Sequence, residues 1–249
     1  MSVPADATQA QMRQFFSAVT PYWAGEAEIV ERYFARGRTR ASDIAWLTAQ
    51  AAKECYDFRV LPAALQDEYV RRGRLTTHPD GASGAERLAV EMGHAHLLIE
   101  LLEELCGAVV DIRALRPLPE DEKLYALRAI HRSGGGALEN AAVDFTEGGG
   151  GAMYLALSRR NGDAFERQLA AAFAVIYRDE LTHGPMQIHG IARAARDAAD
   201  WARAAAIVRD ISMQRLHMRN EMFGWPLSAA RLAAIGDGAI EPWPVPIAL

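Results

Sequence analysis

The chain has 249 residues, half of them hydrophobic and 24% charged, with a formal charge of −5 from 27 basic and 32 acidic side chains. This composition excludes disorder and fibrous repeats, and without a positive excess to gather phosphates nucleic acid is not expected as the main partner. No stretch approaches the roughly 20 uninterrupted apolar residues of a membrane span. The opening MSVPADATQAQMRQFF lacks the basic-then-apolar layout of a signal peptide, so no membrane association and a cytoplasmic location are expected.

Apolar residues recur three and four apart throughout and β-branched alternation is nearly absent, which predicts an all-α protein. Two lead-in helices are expected over about 8–19 and 24–37, separated by Pro21, which lacks the N–H needed to continue a helix. A long helix follows from Ser42 to about Arg72, with Pro62 expected to kink or split it. Residues 73–81 are expected to form a polar loop. Ser83 and Glu86 have the spacing of a capping box, opening a helix that runs to about Cys106 and stops at Gly107. A shorter helix is expected from about Pro119 to Arg132, a break at Ser133 and the three glycines after it, and another helix from about Ala137 to Arg160. Asp163 is the expected N-cap of the next helix, with Glu166 as its box partner, reaching at least His183 and bending at Pro185. A last helix covers about 199–223, and the proline-rich stretch from Trp225 onward is expected to be irregular. No low-complexity linker interrupts the chain, so a single helical domain over 1–249 is expected. Cys55 and Cys106 each sit in an apolar helical context, as reduced core thiols would.

Two Glu-x-x-His pairs stand out, Glu91 with His94 and Glu180 with His183. A spacing of three turns two side chains roughly 60° apart and one helical turn along, so carboxylate and imidazole reach one ion. Both pairs continue apolar stripes: Leu98, Leu101, Leu102 and Leu105 after the first, Leu169, Phe173 and Ile176 before the second. A buried carboxylate normally neutralises, pairs or binds metal. Each pair also has a glutamate on the preceding helix. Before Glu91 it is Glu54, on the stripe of Leu47, Phe58, Leu61 and Leu65; before Glu180 it is Glu147 or Glu139. Facing residues of an antiparallel hairpin lie at similar distances from the turn, and counting from Gly162 favours Glu147, with Glu139 as the alternate. Salt-bridged core pairs without metal are the structural alternative.

Glu54, Glu91 and His94, Glu147 or Glu139, and Glu180 and His183 together resemble the ferritin-like diiron-carboxylate proteins, over about residues 43–190. The resemblance implies an antiparallel helical bundle with extra N- and C-terminal helices, holding two iron ions or an iron/manganese pair. It also implies a non-heme oxidase or oxygenase that uses O2 to oxidise a small organic substrate. The heme-oxygenase-like diiron oxidases are a close alternative; they commonly carry a histidine four residues before the third acid, where this chain has Ile176. Ferroxidase or iron-storage activity, and a metal-free heme-oxygenase-like enzyme or binding domain, are the other functions in view.

Tyr177 and His189 are the candidates for catalytic or proton-transferring groups, and Asp179, Lys53, Tyr56 and Asp57 for partners of the ligands. His96 lies on the far side of its helix from His94. The glycines 148–151, costly in a helix interior, read either as an opening beside the metals or as a break between two helices, in which case Glu139 becomes the better ligand. No flavin, nicotinamide or nucleotide motif is present, so electrons are expected from a partner protein, a small reductant or the substrate. A homodimer is the expected assembly.

Overall fold

The computed structural model describes residues 5–72, 84–180 and 186–244. Among these the chain is all-α, with α1 (Ala5–Ala35), α2 (Arg40–Arg72), α3 (Gly84–Cys106), α4 (Pro119–Ser133) and α5 (Ala137–Phe145). The remaining helices are α6 (Gly148–Ser158), α7 (Ala164–Glu180), α8 (Ile188–Ala194), α9 (Ala198–Met222) and α10 (Ala229–Gly236). No helix among the described residues is long and apolar enough to cross a membrane. The expected loop at 73–81 and bend at Pro185 lie outside the described residues.

The chain divides into two compact units: Met1–Gly37 with Pro119–Leu249, and Arg38–Leu118. The smaller unit is built on α2 and α3. Arg40, at the start of α2, donates from Nε to the carbonyl of Leu105 near the end of α3 at 2.7 Å. Two helices joined start-to-end in this way run antiparallel, and because both rise equally per residue, positions equally far in from that contact face each other. Leu47 and Leu98, both fully buried, lie near that register, and so do the small buried residues Ala51 and Ala95, which let the helices approach. Gly107 stops α3 as expected: it takes φ +69°, open to glycine at no steric cost, and its N–H reaches the carbonyl of Glu103 at 2.7 Å.

In the larger unit α1 packs against α6 and α9, α6 against α7, and α9 against α4 and α5. The expected interruption at Pro21 is absent, and α1 is one helix. A proline inside a helix costs about 3 kcal/mol. Phe16, Val19, Tyr22 and Trp23, on either side of it, are all 6% exposed or less, and burying such side chains returns about 1.5–3 kcal/mol each. Phe145 anchors the aromatic core, its ring 5.1 Å from Phe15 and 5.5 Å from Trp23.

The helix expected over 137–160 is two helices, α5 and α6, parted by a turn at Thr146 and Glu147. The glycines start α6 because α1 lies against them. A Cβ on Gly148 would stand 2.5 Å from the Trp23 ring, and one on Gly149 would press on the carboxylate of Glu26 and lie 3.2 Å from Arg215 Nε. Glu26 is buried with Arg215 and Arg219: Arg215 Nε reaches its Oε1 at 2.8 Å, and Arg219 Nε its Oε2 at 3.1 Å.

Several helix starts follow the sequence. Asp163 Oδ1 accepts from the N–H of Glu166 at 2.9 Å, and Asp197 Oδ1 caps α9 by accepting from Asp200 at 2.9 Å. The region after Trp225 differs from the irregular stretch expected. Ser228 Oγ accepts from the N–H of Arg231 at 3.2 Å, Leu232 and Ile235 are buried, and Arg231 pairs with Glu28 of α1 at 2.6 Å, so a short amphipathic helix, α10, forms there.

Candidate metal centre

Glu54 and Glu91 lie the same number of residues in from the Arg40–Leu105 contact, one along α2 and the other back along α3. The antiparallel register therefore sets them opposite each other, and the Glu-x-x-His spacing adds His94 one turn further on. The ligand atoms of Glu54, Glu91 and His94 all lie within 4.8 Å of one another. Bonds of about 2.0–2.2 Å from oxygen and nitrogen to a transition ion put ligand atoms about 3–4 Å apart, so a small inward movement would complete a coordination shell. Among the described residues, no other group of three His, Cys, Asp or Glu side chains has metal-binding dimensions.

The three differ in exposure. Glu54 and His94 are buried at 4% and 2%, whereas the Glu91 side chain retains 21% of its surface, and its Oε2 lies 3.6 Å from His94 Nδ1. Glu54 is held from its own helix. Gln50, one turn earlier and fully buried, donates from Nε2 to Glu54 Oε1 at 2.5 Å, and the Lys53 ammonium is 3.6 Å from the same oxygen. Two carboxylates and one imidazole form a hard donor set suited to Fe2+, Mn2+ or Zn2+.

The other expected ligands belong to the larger unit. Glu147 stands just before α6 without a side-chain capping bond, 42% of its side chain is exposed, and its Oε1 is 3.7 Å from an Arg128 nitrogen. Burial pushes the Arg128 guanidinium down from its ordinary value, with Glu147 opposing, and burial with Glu147 pushes the nearby Asp144 carboxyl up against the pull of Arg132. Glu139 is turned to Arg203, 3.0 Å from its Nε. Neither glutamate joins a metal-sized group among the described residues. Glu180 is the half-buried last residue of α7, while His183 lies outside the described residues. Tyr177 and His189 are half-buried on α7 and α8, and Asp179 is exposed. His96 faces Glu100 at 3.2 Å, both largely exposed. Cys55 and Cys106 are not joined in a disulfide.

The glycine run borders the Glu26–Arg215–Arg219 cluster. That cluster was not anticipated, although a trace of it is readable: Val19, Trp23, Glu26 and Val30 follow one another at helical spacing, putting an acid on an apolar stripe. Gln50 also escaped notice, being one turn before Glu54 and uncharged.

The chain matches no protein-family model, no curated protein and no solved structure. Any functional reading therefore rests on the residues themselves.

Proposed function

We propose that this protein binds a redox-active divalent ion, iron or manganese, at Glu54, Glu91 and His94, and that it is an O2-dependent oxidoreductase acting on a small organic molecule. The observation that carries this reading is the convergence of three ligand groups from two helices to within 4.8 Å, two of them buried. Three protein ligands leave further positions on a six-coordinate ion for water, O2 or substrate. When bound, such an ion supplies one-electron chemistry with O2 that no side chain performs. The chain's own part is to fix geometry and access: Glu54 is oriented by Gln50, His94 is buried beside it, and Glu91 keeps part of its side chain exposed to solvent.

A glutamate on one helix and Glu-x-x-His on its neighbour make up half of the ferritin-like diiron ligand set, which supports a dinuclear, ferritin-like form of the proposal. That form also needs Glu147 or Glu139, with Glu180 and His183. Without a flavin or nucleotide motif, electrons come from a partner protein, a small reductant or the substrate. A metal-free reading is favoured by one observation: Gln50 and Lys53 both sit on Glu54 Oε1, as they would around a self-compensated polar core group.

Metal analysis separates these readings. Protein loaded anaerobically with Fe2+ or Mn2+ and freed of excess is expected to retain about one ion per chain in the mononuclear form and about two in the dinuclear form. Glu91→Ala combined with His94→Ala should abolish retention while helix content by circular dichroism stays near wild type. Unchanged metal content in that variant would sink the assignment, and a wild-type chain that retains no ion would establish the metal-free reading.

A further inference from the structure

Lys53 adds a positive charge to a site that would hold a cation, which is costly unless the charge has a role. Its ammonium is 3.6 Å from Glu54 Oε1, with 17% of the side chain exposed, and Gln50 donates to that same oxygen at 2.5 Å. The Lys53 ammonium offsets one unit of the negative charge that the two carboxylates bring. The site is thereby partly neutralised when empty, at the expense of attraction for any ion that enters.

Resting on the metal reading above, we infer that Lys53 is a built-in counter-cation that holds the Glu54 site together without metal, lowers its affinity for divalent ions and favours a ferrous over a ferric ion. The preference follows from Coulomb's law, since a fixed positive charge repels a trivalent ion more than a divalent one at the same place. Lys53 acts through Glu54 and is a positioning residue. Gln50, being neutral, has only the orienting half of this role.

The test uses the full chain, with Mn2+ as the probe for affinity and iron for the potential. Lys53→Met is expected to bind Mn2+ roughly tenfold or more tightly than wild type, and its iron midpoint potential should move to lower values. Lys53→Arg, which keeps the charge, should bind like wild type. Damage to the fold weakens binding, so the expected gain is a signature that a purely structural lysine would not produce. Equal or weaker Mn2+ binding by a folded Lys53→Met would overturn the inference. If that variant unfolds without metal, added Mn2+ should restore it by supplying the missing charge, and failure to fold at any Mn2+ concentration would also overturn it. A wild-type chain that binds no Mn2+, or binds it independently of Glu91, instead overturns the metal reading on which this one rests.

Discussion

Glu26→Ala is expected to destabilise the larger unit by about 3–5 kcal/mol, because it leaves two buried guanidinium groups facing each other without their shared counter-ion. Glu26, Arg215 and Arg219 are 2%, 2% and 1% exposed, so water cannot take over the missing role. Urea or thermal unfolding measures the loss, and a midpoint falling by roughly 2–4 °C for each kcal/mol is the scale for a protein of this size. A loss below about 1 kcal/mol would show that the cluster is not the buried ionic unit described. Replacing all three residues together with apolar side chains of similar volume is expected to cost far less than Glu26→Ala alone, since no charge is then left unpaired.

The same cluster predicts sensitivity to acid. Burial alone would push the Glu26 carboxyl up, but the charges and hydrogen bonds of Arg215 and Arg219 outweigh it and hold the carboxyl below its ordinary value near 4.5. A carboxyl lowered in the folded state contributes stability that is complete above its unfolded value and disappears as pH falls through the folded one. Wild type should therefore lose stability below about pH 4.5 more steeply than Glu26→Gln, for which this contribution is absent at every pH. Unfolding midpoints from pH 7 to pH 3 provide the check.

The second large effect concerns the glycines of α6, where neighbouring positions should respond in opposite directions. Gly148→Ala sets a methyl 2.5 Å from the rigid Trp23 ring, and Gly149→Ala drives one into the Glu26 carboxylate. Overpacking of this kind costs about 1–3 kcal/mol, and more where a buried ion pair must shift. Gly151→Ala meets nothing within 4 Å. It should stabilise by up to about 1 kcal/mol, because alanine loses less backbone freedom than glycine in a helix. If the run existed to line an open cavity, all three substitutions would be tolerated alike. Denaturant midpoints for the three single variants decide the matter.

The α2–α3 half of the candidate site was readable in the sequence because everything needed was local and periodic: a Glu-x-x-His spacing, a glutamate on the helix before it, and apolar stripes on both. Counting residues from the turn to Glu147 assumed an unbroken helix over 137–160, which is two helices. The chain turns at Thr146 and Glu147 so that α6 can lie against Trp23 and Glu26, residues more than a hundred positions away that no local pattern reveals. Pro21 was misread for a related reason: its local cost is certain, but the burial that offsets it comes from helices elsewhere in the chain. Short-range signals such as the Asp163 cap and Gly107 carried over because a cap or a left-handed residue satisfies its own neighbours.

The larger unit is split in sequence, with α1 before residues 38–118 and its main partners α6 and α9 after them. During synthesis α1, with Phe15, Phe16, Val19 and Trp23, emerges well before the helix that packs on it, since α6 does not begin until Gly148. At ~5–20 residues per second that delay is on the order of ten seconds, far longer than a helix needs to form or a chain to collapse. The apolar face of α1 thus waits uncovered by α6 throughout the interval, and a nascent chain is most prone to aggregate there.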